Sequence, residues 1–214
     1  ELQWAAPVLA HMRQPLSAQH SHIALWKLAL LLHDIAKPAT RADKPEGGVS
    51  FYGHQDIGAD MAQAIGQRLR LSRAEVEYLA TVVRGHMRPG QLNDLGEITP
   101  RAAYRFFRDL EPAAVDTLLH SLADHLATRG PQLSPPHWAM HLAWTDAMLG
   151  FHWDAAREQQ KRAPLVDGHT LMRKLNLAAG PQVGELLEAI REAHAAGEIS
   201  SSAEALALAR RLQA

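Results

Sequence analysis

An aliphatic run that ends in a charged pair, Leu30-Leu31-Leu32-His33-Asp34, sets the strongest condition on how this chain folds. Leucines at that density belong on a buried helix, and they carry the imidazole and carboxylate toward the interior with them. An interior carboxylate without a partner is strongly disfavoured, so a cation or a hydrogen-bond network must compensate Asp34. A neutral imidazole beside a carboxylate is also a donor pair that divalent cations select. The plainer alternative is a capping Asp and a hydrogen-bonded core His at a helix end.

Three further residues fall where solvated side chains would be out of place. Ile57, Met61, Ile65 and Leu69 recur every four residues, and His54 extends that apolar stripe by one turn. Val76, Leu79 and Val83 lead at helical spacing to His86. Between residues 115 and 127 the aliphatic stripe is Val115, Leu118, Leu119, Leu122 and Leu126. Asp124 falls on the opposite face with Thr117, His120, Ser121 and Thr128. That face has no Lys, Arg or Glu, and reads as a polar face turned toward a site. Each His alone reads equally as a core histidine; the joint arrangement is what favours a metal.

Helical spacing continues along the chain, and nothing alternates with period two for long, which predicts an all-α fold. A buried helix is predicted over 21–36, stopped by Pro38. A loop or short hairpin follows over 40–52, around Pro45, Gly47 and Gly48. Paired helices are predicted over 54–70 and 72–86, the second opened by a Ser72/Glu75 capping box. A connector spans 89–98, and Thr99-Pro100 then starts a helix. Further helices are expected over 111–129, 138–161, 167–175, 181–196 and 202–212, the last with a Ser201/Glu204 box. The break at Ala163-Pro164 suggests a helical domain over 1–162 and a small helical appendage over 163–214.

Composition narrows the chemistry. The 214 residues contain no cysteine, so any metal is held by nitrogen and oxygen, which suits Mg, Mn, Co, Ni or Fe. Of thirteen histidines, His20, His22, His137, His141 and His152 sit near Pro, Ser or Trp and read as loop or surface residues. The net charge of −1 lacks the basic field of a protein that grips nucleic acid unaided. No apolar run approaches a membrane span and no secretory signal is visible, so a cytoplasmic location is expected. Arg101, Arg105 and Arg108 share one helix face, interleaved with Tyr104, Phe106 and Phe107. They read either as RNA-phosphate contacts or as a solvated Arg face over an aromatic core. Gly180-Pro181-Gln182-Val183-Gly184 could present backbone amides to phosphate, or simply cap adjoining helices.

These segments together resemble a known family. His33-Asp34, followed by separate histidines and a late Asp, is similar to the HD superfamily of metal-dependent phosphohydrolases. The likeness is closer in Leu-Leu-His-Asp-Ile-Ala-Lys-Pro-Ala-Thr (31–40), Phe-Tyr-Gly-His-Gln-Asp-Ile-Gly-Ala (51–59), Leu-Arg-Leu-Ser-Arg-Ala-Glu (69–75), Arg-Ala-Ala-Tyr-Arg-Phe-Phe-Arg (101–108) and Ser-Leu-Ala-Asp-His-Leu-Ala-Thr-Arg-Gly-Pro (121–131). With Pro-Leu-Val-Asp-Gly-His-Thr-Leu-Met (164–172) and the 180–184 turn, these resemble the HD-bearing half of bacterial tRNA nucleotidyltransferase/poly(A) polymerase proteins. The resemblance runs from about residue 25 onward. It departs in two places. The Gly-Ser and Asp-x-Asp of the nucleotide-adding head are absent here, so nucleotide addition is not expected of these residues. The pattern's first His, one helix upstream, has only His11, His20 and His22 as candidates, and His11 is the one chosen. A start at Glu1, in what reads as mid-helix, suggests a fragment or a divergent stand-alone protein.

The resemblance implies a metal set of His33, Asp34, His54, His86 and Asp124. His33, Asp34 and Asp124 would hold one divalent cation, while His54 and His86 hold a second or clamp a phosphate. Asp34 and Lys37 are the expected catalytic groups, with Lys37 stabilising phosphoryl charge. The expected reaction is hydrolysis of a phosphomonoester, a cyclic nucleotide or an RNA-end phosphate. The alternatives are a non-catalytic tRNA- or RNA-docking region and a ligand-free helical scaffold.

Overall fold

Helix is nearly the only regular structure in the computed structural model, which describes residues 2–94, 96–161 and 164–213, with side chains except at 155–161. The helices are α1 (Ala5–Arg13), α2 (His22–Leu32), α3 (Lys37–Thr40), α4 (His54–Arg68), α5 (Arg73–Gly85), α6 (Arg88–Asp94), α7 (Pro100–Leu110), α8 (Ala114–Arg129), α9 (Pro135–Lys161), α10 (Gly168–Leu175), α11 (Pro181–Ala195) and α12 (Ser202–Gln213). A two-stranded hairpin, β1 (Ala42–Asp43) and β2 (Val49–Ser50), pairs antiparallel with Ala42 opposite Ser50. Its turn carries Gly47 and Gly48, both at positive φ, a region that favours glycine.

Several boundaries follow local chemistry. Ser72 accepts from the Glu75 amide while the Glu75 side chain accepts from the Ser72 amide, which closes the expected box at the start of α5. Thr99 accepts from the Ala102 amide ahead of Pro100, and Ser201 with Glu204 forms the same reciprocal pair before α12. Three expectations fail. The helix expected to run to Ala36 ends at Leu32, and Pro38 opens the short α3 rather than stopping α2, because proline is tolerated in a first turn. The connector at 89–98 contains α6, with Pro89 again in a first turn. The stripe on α4 is also displaced: Ile57 and Leu69 are exposed, and the packed face is His54, Gly58, Ala59, Ala62 and Gly66.

That small-residue face explains how α4 and α5 approach so closely. A Cβ on Gly58 would lie 3.2 Å from Val83 Cγ1, and one on Gly66 would lie 3.1 Å from Val76 Cγ2. Helix α5 is the centre of the core. Tyr78, Leu79 and Val82 pack with Leu25 and Ala29 of α2, while Ala80 and Val83 pack with Leu32, Ala59 and Ala62. Each fully buried Leu or Val contributes about 2 kcal/mol of transfer free energy.

The chain divides into two compact units, one comprising 1–97 and 106–149, the other 98–105 and 150–214. The second has its own core of Val166, Leu171, Leu186, Ile190, Ala205 and Ala209. The boundary expected between residues 162 and 163 lies outside the described residues.

Candidate metal centre

The end of α2 is shaped so that His33 and Asp34 leave the helix as a corner. The Ile35 amide donates back to Leu32 O, and the Lys37 amide to Asp34 O, so the backbone turns tightly rather than continuing as α-helix. His33 turns its Nδ1 onto Leu30 O at 2.8 Å, one turn back. His54 and His86 make the same bond, Nδ1 to Phe51 O at 2.7 Å and Nδ1 to Val83 O at 2.6 Å. A carbonyl only accepts, so all three imidazoles carry their proton on Nδ1. In the neutral ring Nε2 is then a lone pair.

Those three lone pairs point into one space. His54 Nε2 and His86 Nε2 lie 3.2 Å apart, and at 3.5 and 3.8 Å respectively from Asp34 Oδ1. His33 Nε2 lies 3.1 Å from Asp34 Oδ2 and 3.7 Å from Asp124 Oδ1. Asp34 Oδ1 is buried and has no hydrogen-bond partner. Acceptors facing acceptors at these distances repel unless positive charge lies among them. Lys37 supplies part of it, with Nζ 2.6 Å from Asp34 Oδ2. A protonated ring is disfavoured at His86, where burial holds the imidazole below its ordinary pKa. Burial also opposes ionisation of Asp34, but positive charge beside it, led by the bonded Lys37 ammonium, prevails and holds the carboxyl below the usual range. Asp34, His54 and His86 therefore form a group that could hold a divalent cation, with His33 and Asp124 beside it. Among the described residues the site offers nitrogen and oxygen only, which fits the metals expected from composition.

The side chains of Asp34 and Asp124 are 33% and 40% exposed, so solvent reaches part of each carboxylate. Beside them sits a residue that the sequence places on the face of Asp124 but that is not among the expected ligands. His120 is fully buried, its ring 4.6 Å from that of His33 and 5.7 Å from that of His86, with neither nitrogen hydrogen-bonded. Burial, reinforced by the neighbouring imidazoles, pushes it down to about 3 and keeps it neutral. The signal was present: His120 precedes Asp124 by four residues and so shares its face of α8.

His11, chosen as the upstream ligand, is drawn elsewhere. It bonds Asp116 together with His22, and along α2 His22 is roughly 16 Å from His33 at 1.5 Å rise per residue. His22 and His141, read as loop or surface residues, are both buried within helices. The three arginines are also engaged. Arg101 pairs with Glu192 and Glu198, Arg105 with Glu192, and Arg108 with Asp109. Glu192, buried on α11, thus receives two of the three guanidiniums. Gly180 is the N-cap of α11, with Pro181 in its first turn.

The HD domain family model matches residues 9–129, more than half of the chain and all of the centre just described. The A-adding tRNA nucleotidyltransferase of Deinococcus radiodurans is 37% identical over 190 residues, covering 87% of this chain and 41% of the relative. The CC-adding tRNA nucleotidyltransferase of Thermus thermophilus is 34% identical over 200 residues, covering 90% and 42%. The Multifunctional CCA protein of Halorhodospira halophila is 28% identical over 172 residues, covering 78% and 35%. The chain thus spans about two fifths of the length of the curated relatives it matches most extensively. With its all-helical fold and its corner of His33 and Asp34, the chain belongs to the HD-domain family, in the branch that tRNA nucleotidyltransferases carry.

Proposed function

We propose that this HD region is a divalent-metal-dependent phosphohydrolase acting on phosphomonoesters, cyclic nucleotides or RNA-end phosphates. One observation carries the reading: the Nε2 atoms of His54 and His86 converge on an unpartnered, buried oxygen of Asp34 and that of His33 on its other oxygen, while all three Nδ1 atoms donate to backbone carbonyls. A histidine set built only for packing would have no need to fix all three tautomers in one sense. A divalent cation there would polarise a phosphoryl oxygen and acidify a bound water. The carbonyls of Leu30, Phe51 and Val83 fix the ring orientations. Asp34 supplies negative charge at the centre, and Asp124 a second carboxylate at its solvent side. Lys37 Nζ, already at the carboxylate edge, stabilises charge on phosphoryl oxygens entering beside it. Phe51 lies under the same ammonium, 5.7 Å from ring centre, and helps hold it. The boundary after residue 162 and the assignment of 163–214 as a helical appendage remain part of this reading.

The test is chelator-sensitive release of phosphate from an aryl phosphate by purified protein, restored by Mg, Mn, Co, Ni or Fe. Activity that survives chelation or Asp34→Asn would reject the reading. A second reading, a non-catalytic tRNA-docking region, is supported by the relatives' names. A-adding and CC-adding relatives match this region about equally, so it holds what they share rather than the choice of nucleotide. RNA binding that is weakened by Arg105→Ala and indifferent to chelator would favour it. No described helix is long and apolar enough to cross a membrane, and a cytoplasmic location belongs with either reading.

A further inference from the structure

A second convergence of imidazoles and carboxylate lies in the same unit, on residues the proposed reaction does not use. Asp116, fully buried on α8, receives His11 Nε2 at 2.8 Å and His22 Nδ1 at 3.2 Å, both on Oδ2. The two rings are 4.2 Å apart. Asp116 Oδ1 is also buried and receives neither imidazole, and the buried Tyr78 hydroxyl lies beside the same carboxylate. Trp26 Nε1 donates to the Asp116 carbonyl at 3.0 Å and so fixes this turn of α8 against α2.

A third pair in the same unit shows what a carboxylate satisfied by hydrogen bonds looks like. Glu75, equally interior, receives Ser17 Oγ and His20 Nδ1 on one oxygen and the Ser72 amide on the other. Both of its oxygens are used, as buried polar groups ordinarily require. Asp116 departs from that pattern by crowding two imidazoles on one oxygen. One ligand atom from each of His11, His22 and Asp116 lies within 4.8 Å of the others.

We propose that His11, His22 and Asp116 form a second divalent-cation site, distinct from the Asp34 centre, that ties α1 to α2 and α8. Two imidazoles with one carboxylate favour Zn, Co, Ni or Fe over Mg or Ca, which prefer oxygen. A cation at the point of convergence relieves the crowding of His11 and His22 on Asp116 Oδ2. Trp26 acts behind the ligand, by holding the backbone that aims it. The His11 side chain is 17% exposed, which gives an ion a way in.

The experiment uses the whole chain stripped by chelator, with Co²⁺ as the probe followed by visible absorption, titration calorimetry and thermal melting. The Asp34 centre is first disabled by Asp34→Asn with His54→Gln. The expected result is that this variant still binds one equivalent of Co²⁺ and melts at higher temperature with it. Adding His11→Gln weakens that binding by roughly tenfold or more, at least the effect of losing an outer partner of a metal ligand. The proposal is overturned if the disabled variant binds no Co²⁺, an outcome independent of how His11→Gln folds. It is also overturned if His11→Gln leaves the affinity unchanged. Phosphate release plays no part in either readout, so this proposal and the hydrolase reading fail separately.

Discussion

The two His–Asp groups occupy opposite ends of one seam between α2 and α8, and they differ in what surrounds the carboxylate. On α2, His22, Trp26, Ala29 and His33 follow one another at helical spacing. On α8, Asp116, His120 and Asp124 do the same at intervals of four. At one end Asp116 is wholly interior and takes two imidazoles directly. At the other, Asp34 is a third exposed, and three imidazoles whose Nδ1 atoms are taken by backbone carbonyls turn Nε2 toward it. The contrast teaches that the same residue types can hold a carboxylate wholly inside the protein or leave it partly open to solvent. What decides is where the carbonyls of the preceding turn place the imidazole protons, and whether solvent reaches the carboxylate.

The largest expected effect separates the two ends by activity. Asp34→Asn should reduce metal-dependent phosphate release roughly 100-fold or more, the scale of removing one charge-stabilising group. It should change thermal stability by no more than about 1 kcal/mol, since the side chain is partly solvated. If release is unaffected while the protein unfolds, the assignment of roles is reversed. Asp116→Asn should do the opposite, costing about 3 kcal/mol in denaturant unfolding because two buried imidazoles lose their partner. A stability change below about 1 kcal/mol there would remove the distinction.

The Glu75 cluster sharpens the comparison through pH. Burial opposes its ionisation, but bonds from Ser17, His20 and Ser72 prevail and bring its pKa from 4.5 to about 2. A folded-state pKa below the unfolded one means stability that is present above pH 4.5 and lost as pH falls toward 2. Glu75→Gln should flatten the acid limb of the stability curve in that window, measured by denaturant midpoints at stepped pH. An unchanged acid limb would show that Glu75 does not contribute to it. The smallest effect is expected at Ser72→Ala, about 1 kcal/mol from loss of the helix cap, with no change in metal content.

Local signals made much of this legible in the sequence. The Ser72/Glu75 box, Thr99-Pro100 and the Val76, Leu79, Val83 stripe act within one or two turns, and each appears in the fold as expected. His33, Asp34, His54, His86 and Asp124 could be singled out because each interrupts an otherwise apolar or uncharged face. The rest depended on partners distant in sequence. His22 reads as a loop residue until Asp116, ninety-four positions away, explains why it is buried. Ile57 and Leu69 form a stripe on paper, but the close approach of α5 selects Gly58 and Gly66 instead. Arg101 and Arg105 look free until Glu192 is brought beside them.

The central claim is that the Nε2 atoms of His33, His54 and His86 are held free to bind a cation at Asp34. Anomalous diffraction from crystals soaked in Mn²⁺ or Co²⁺ tests it most directly. The account predicts a strong peak among Asp34, His54 and His86, at coordination distance from Asp34 and at least two of those nitrogens. Fully occupied, well-ordered side chains with no peak there would contradict it.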